Sequence, residues 1–359
     1  MKTGILLACV LALLICSGNT KAHLCDAIEE SNSPAETQQH QQAVIAQASP
    51  IYTLRVHAIK LSNDDGSEPT PISPANVKEW VDKANKIFYI SGAGIQLQFD
   101  PNPNGPDWTT LKNTKLNHIS SADQSDWGQA NKVAAAHPGK IVFLFRYSGG
   151  TGANANPGNG FAFTPQSGMV TNFVALPGFN NTKVSTGSAS GPFVQNIWQM
   201  AHETGHYLGL AHTFPDWNDS PTDTPAKAAE YIKKNGGTAA ALDGDGILDT
   251  PPEAGTAFYK NNGWNYCTGH DSYVINGTKT DGKPFSYTFT PDRKNVMSYF
   301  ACETMKFTKG QVARMRETLQ LPVRKHLIAP MVKANQSAEI KKKLNVPPLD
   351  TPRRVPPGH

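Results

Sequence analysis

Residues 198–214 read Trp198-Gln199-Met200-Ala201-His202-Glu203-Thr204-Gly205-His206-Tyr207-Leu208-Gly209-Leu210-Ala211-His212-Thr213-Phe214, and their spacing decides how the rest of the chain is read. His202 and His206 are four apart. On an α-helix that puts both imidazoles on one face, one turn apart. Glu203 lies between them, within reach of a water on a shared ion without being a ligand. Gly209 follows His206 by three residues, where a helix can end through a residue with positive φ. The chain can then swing His212 back as a third nitrogen ligand. Three imidazoles with one position left open make the site of a catalytic zinc, not the closed tetrahedron of a structural one. Ordinary core or surface histidines would match all five positions only by rare coincidence.

Upstream of this segment, β and α patterns alternate. Ile51 to Leu61 alternates apolar and polar side chains, the period of a half-buried strand. Ser73-Pro74 then opens a helix, with Ser as cap and Pro at the first helical position. Val77, Trp80, Val81, Ala84, Ile87 and Phe88 recur at helical spacing, which predicts one face packed on a sheet. Ile95 to Phe99 reads as a short strand, 122–136 as a weaker helix, and Ile141 to Phe145 as a continuous apolar run fit for a central strand. Gly149-Gly150-Thr151-Gly152 with Gly158 and Gly160 lacks the Lys-Ser/Thr ending of a phosphate loop and reads as a surface loop. Met169 to Leu176 is a further strand. Beyond the histidines the chain is irregular until Thr308-x-x-Gln311, a capping box that opens a last helix expected to run to about Leu321, before Pro322.

The ends and the composition narrow the class. Lys2, the apolar run Ile5 to Ile15 and the polar exit Ser17-Gly18-Asn19 have the form of a secretory signal, ending at Ala22. The run is too short to span about 30 Å of hydrocarbon, so no membrane span is expected and the mature chain is expected outside the cell. Residues 23–50 read as a leader or short pro-segment, 51–327 as one catalytic domain, and the Pro- and Lys-rich residues 328–359 as an extended tail. With 38% hydrophobic and 17% charged residues, the chain is not a highly charged disordered one. Its 30 Gly and 27 Pro are too aperiodic for collagen. A formal net charge of +4, two charges of which leave with Lys2 and Lys21, gives no argument for a nucleic-acid partner. The oligomeric state is not read from the sequence.

Removal of residues 1–22 leaves Cys25, Cys267 and Cys302. In an oxidising compartment an odd count means one pair and one leftover thiol. Cys267 with Cys302 is the expected disulfide, closing a loop worth about 4 kcal/mol in the chain-entropy model. Cys25 is either a spare thiol or a leader thiolate that blocks the open metal position. Asp243, Asp245 and Asp249 form an acidic turn, Asp-Gly-Asp-Gly-Ile-Leu-Asp. It is either a plain Asp/Gly turn or a calcium site, since calcium takes 6–8 oxygens.

His202-Glu203-x-x-His206-x-x-Gly209-x-x-His212, together with Asn295-Val296-Met297-Ser298-Tyr299, resembles the metzincin clan of zinc peptidases. Gly244 to Pro251 and Phe307 to Met315 make the chain similar to the pappalysin/cytophagalysin family, clearly over about 198–318. The resemblance implies an α+β fold of two lobes. The upper lobe, about 51–208, has an α/β-like twisted mixed sheet, a backing helix and an active-site helix. The lower lobe, about 209–327, is irregular and ends in a helix. It implies Met297 as an apolar floor under the zinc histidines, a protein or peptide substrate, and Glu203 as general base. Tyr299 is then either a hydrogen-bond donor or movable ligand in catalysis, or a structural residue. The clan's geometry places the substrate against the strand Met169 to Leu176, and family members that bind calcium favour the ion at the Asp turn. The rival readings are a zinc hydrolase of a non-peptide amide and a non-catalytic binding protein stabilised by zinc. A base beside the ligands argues against the second, because a structural site has no use for one.

Overall fold

Strand β1 (Tyr52–Ser62) carries the sheet because it is long enough to pair with different strands along its length. On one side its first half runs parallel to β2 (Ile95–Gln98) and its second half parallel to β3 (Trp108–Lys112). On the other side it pairs, again in parallel, with β4 (Lys140–Arg146). Beyond β4 come parallel β6 (Phe173–Pro177) and then antiparallel β5 (Phe161–Ala162). The computed structural model describes residues 50–121, 124–147, 160–165, 172–178, 198–215, 224–264, 270–300 and 305–328. The signal and leader segments, the tail, Cys25, Cys267 and Cys302 lie outside them, as does most of the Gly-rich loop.

Helices cover both faces of the sheet. Helix α1 (Pro74–Ile90) is capped as expected by Ser73, whose side chain accepts from the Asn76 N–H while Asn76 returns the bond to the Ser73 N–H. Its buried residues are Val77, Trp80, Val81, Ala84, Ile87 and Phe88. They pack in one core with Leu54 and Val56 of β1, Ile141, Phe143 and Phe145 of β4, and Met200 and Ala201 of helix α4 (Gln199–Tyr207). The opposite face buries Ile59, Leu61, Val142 and Leu144 under the short helix α2 (Thr114–Asn117) and α3 (Trp127–Ala135). A strand buried on both faces loses the alternation of a half-exposed one, which explains the unbroken apolar run of β4.

The structure differs from the sequence expectations in several places. The helix expected over 122–136 starts at Trp127, after a 3-10 turn over Gln124–Asp126. β3 carries no apolar alternation, since its residues are exposed or half-exposed, and only its pairing with β1 makes it a strand. β6 is not the sheet edge against which a substrate could be laid: β4 and β5 cover it on both sides. The C-terminal part also has more order than expected. Helix α5 (Pro225–Lys234), helix α6 (Thr256–Asn261) and the hairpin β7 (Tyr273–Thr278) to β8 (Pro284–Phe289) enclose a third apolar core. Ile232, Phe258, Tyr259, Tyr273, Ile275 and Phe300 are among its members. The last long helix, α7 (Lys309–Thr318), has the expected Thr308–Gln311 capping box but ends before Leu319. A further turn, α8 (Pro322–Lys325), begins at Pro322, where proline is tolerated because a first-turn N–H needs no partner.

Candidate metal centre

Helix α4 presents His202 and His206 one turn apart, and both are fully buried. How the helix stops then decides where His212 goes. Gly209 takes φ +89, its N–H donates to His206 O at 2.8 Å, and the Leu210 N–H donates to Gly205 O at 3.0 Å. This is a Schellman ending, and glycine suits its left-handed position. A Cβ there would also stand 2.5 Å from Thr318 Oγ1. The reversal returns the chain so that His212 Nε2 lies 3.1 Å from His206 Nε2, which is itself 3.1 Å from His202 Nε2. Arg324 on α8 closes the helix end, donating from Nε to Tyr207 O at 2.9 Å with its guanidinium over the Tyr207 ring.

The outer nitrogens orient the rings. His202 Nδ1 lies 2.6 Å from Val296 O, and His206 Nδ1 lies 2.7 Å from Leu210 O. A carbonyl only accepts, so both Nδ1 atoms carry protons, and in the neutral rings both Nε2 lone pairs face inward. Burial keeps the rings neutral: it lowers His202 to about 4 and holds His206 and His212 well below the ordinary histidine value. Neutral imidazole is the form that ligates a metal. Among the described residues these three make the one group of three or more His, Cys, Asp or Glu gathered tightly enough to hold an ion.

The segment Asn295–Tyr299 lies against the same cluster. Val296 supplies the carbonyl to His202. Met297 is fully buried and packs so close to the helix that a Cβ on Gly205 would come within 2.6 Å of its Sδ. Asn295 shapes the turn, its Oδ1 accepting from the Met297 N–H at 2.8 Å and from Gln311 Nε2 at 3.1 Å. Tyr299 places its ring 4.9 Å from that of His212 and 6.0 Å from that of His202. Glu203 is fully buried, on the turn of α4 between the two ligand candidates.

Not every residue singled out in the sequence joins this site. Asp243, Asp245 and Asp249 sit on their own loop and bond inward. Asp243 Oδ1 accepts from the Asp245 and Gly246 N–H groups, and Asp245 accepts from Ile247 N–H, the Thr250 hydroxyl and Gln311 Nε2. Asp249 accepts from the Thr308 hydroxyl and the Gly310 N–H at the start of α7. Burial pushes Asp245 up to about 7 and raises Asp243.

Two residues escaped the sequence reading. Gly160 immediately precedes β5, and a Cβ there would stand 2.6 Å from Glu203 Oε1 and 3.0 Å from Gln199 Nε2. Glu253 is a buried carboxyl that accepts a hydrogen bond from the hydroxyl of Thr213, the residue after His212. In sequence, Gly160 is hidden among other loop glycines, and Glu253 is one acid in a Pro-rich stretch.

Residues 142–320 match the model of peptidase family M43, described as pregnancy-associated plasma protein-A. Among solved structures, a mutant of promirolysin from Tannerella forsythia is 18% identical, with a TM-score of 0.46, over 82% of this chain and 88% of that one. No curated protein matches. The matched region contains the three histidines, Glu203 and the Met297 turn, and the chain belongs to the pappalysin family of metallopeptidases.

Proposed function

We propose that this chain is a secreted zinc metalloendopeptidase, with His202, His206 and His212 as ligands and Glu203 as general base. The observation that carries the reading is the nitrogen geometry. Ligands about 2.0–2.1 Å from a tetrahedral zinc stand about 3.3–3.4 Å from one another. His206 Nε2 is 3.1 Å from both of its partners, and two of the rings are held from behind by carbonyls. The donor set of three imidazoles leaves room for a water.

Zinc bound there would lower the pKa of its water to about 7 and polarise a substrate carbonyl. The chain's own residues do the rest. The Glu203 carboxylate accepts the water's proton as the oxygen attacks the peptide carbonyl, then gives it to the departing amine. Proton exchange of this kind typically contributes 10²–10⁴-fold. The buried Met297 and the Trp198 ring, 5.1 Å from that of His202, surround the ligands with apolar atoms, which strengthens every charge interaction among them. Tyr299, beside His212, donates a hydrogen bond to the developing oxyanion. β5, antiparallel and outermost among the described residues, begins beside Glu203, and its edge can pair with an extended peptide. β-augmentation of this sort fits any peptide backbone.

Secretion follows from the signal-like residues 1–22. No described helix is long and apolar enough to cross a membrane. The test is cleavage of a peptide library by the purified mature protein, before and after chelation. The reading expects cleavage that stops with chelator and returns with zinc. Cleavage that persists in the metal-free protein would overturn it.

A further inference from the structure

Thr213 is gripped from three directions. Its N–H donates to Met297 O at 3.4 Å, its carbonyl accepts from the Gly244 N–H at 3.2 Å, and its hydroxyl donates to Glu253 Oε1. Glu253 is 1% exposed and stands at the neck of the acidic loop, where its N–H donates to Leu242 O at 3.0 Å. The second carboxyl oxygen, Oε2, is buried without a hydrogen bond to any described group. The Ser298 hydroxyl, between Met297 and Tyr299, is buried without a hydrogen bond to any described group and lies near enough to this carboxyl to favour its charged form. Burial pushes Glu253 up to about 7, so the group sits there at a cost. The peptidase chemistry makes no use of it, and an apolar side chain would fill the same space without that cost.

We propose that Glu253 is a positioning residue that fastens the segment carrying His212 to the Met297 turn through Thr213, whose hydroxyl bonds Glu253 and whose N–H reaches Met297 O. The inference rests on the zinc-peptidase reading above. His212 differs from His202 and His206 in lying beyond the end of α4, so the helix alone does not set its position. The His202 ring, by contrast, is held by Val296, inside the turn that the Thr213 N–H reaches. One carboxyl therefore keeps the third ligand and the Val296 carbonyl in register, with Tyr299 next to Ser298.

The test compares wild type with Glu253→Ala, Glu253→Gln and Thr213→Val. It reads the rate of zinc transfer to a chromophoric chelator, kcat and KM on one peptide, and the Tm of each metal-free protein. Partners that orient metal ligands are typically worth 10–100-fold in metal affinity or activity. Glu253→Ala and Thr213→Val should release zinc about 10–100-fold faster and lose a similar factor in kcat, with KM within about twofold. Glu253→Gln keeps an acceptor for Thr213 and can donate to Ser298, so it should recover most of both losses. Thr213→Val removes the same bond with little change of shape and serves if Glu253→Ala does not fold. Zinc release and kcat within about twofold of wild type in the variants would overturn the inference. So would losses that simply follow the metal-free Tm, or no rescue by Gln. A wild type that takes up no zinc or cleaves nothing would instead overturn the peptidase reading itself, and this inference with it.

Discussion

The sheet region, residues 52–178, and the C-terminal region, residues 209–328, build one site by different means. In the first, backbone ladders between strands and two continuous apolar layers fix the shape. Side-chain ties such as Asn117 to Asn63 and Glu68, and Asn85 to the Leu97 backbone, supplement those ladders. In the second, individual polar side chains tie loops to loops: Asn295 to Met297 and Gln311, Asp249 to Thr308 and Gly310, Glu253 to Thr213. Such bonds net only about 0.5–1.5 kcal/mol each, yet a buried partner left unsatisfied costs about 1–3 kcal/mol. The first region should therefore respond to substitution through global stability, the second through the local geometry of the site.

The largest effect is expected in the sheet. Phe143→Ala empties a fully buried position of β4 and should cost about 3–5 kcal/mol in denaturant unfolding. The activity of the molecules that remain folded should stay near wild type. A loss of kcat beyond the unfolded fraction would break the comparison. Gly160→Ala crosses the boundary, because the residue that leads into β5 faces Glu203. The new Cβ would displace the Glu203 carboxylate, and a misplacement of about 1 Å can cost about 10²-fold. Steady-state kinetics should show that loss in kcat with little change in Tm, and an unchanged kcat would separate β5 from the chemistry. Asn295→Ala leaves the buried Met297 N–H without its acceptor and takes one of two acceptors from the Gln311 amide, about 1–3 kcal/mol by chemical unfolding, with a lower kcat as well. Asp249→Ala removes the carboxylate at the start of α7 and should cost about 1 kcal/mol, seen as a small drop in Tm. A larger loss for Asp249→Ala than for Asn295→Ala would reverse the assigned order of importance.

The same contrast explains what could be read from the sequence. α1 was legible down to its six buried residues and its Ser73 cap, because helical periodicity and capping are local signals. The clustering of the three histidines was legible because their spacing, the helix pitch and the Gly209 stop all fall within one short stretch. β3 was not, since its side chains face solvent and only the distant β1 makes it a strand. The order of β5 and β6 was not legible either, as no local pattern says which strand is outermost. The three acids 243, 245 and 249 looked alike in sequence but take different partners in space. Glu253 and Gly160 gain their meaning from Thr213 and Glu203, about 40 positions away in each case.

The central claim is that the three histidines hold the metal and Glu203 moves the proton. It is tested most directly by Glu203→Gln, an isosteric change that leaves every ligand in place. The account predicts one zinc per chain as in wild type, an unchanged fold, and kcat lower by about 10²–10⁴-fold. Peptide cleavage at the wild-type rate by the zinc-loaded Glu203→Gln protein would contradict it.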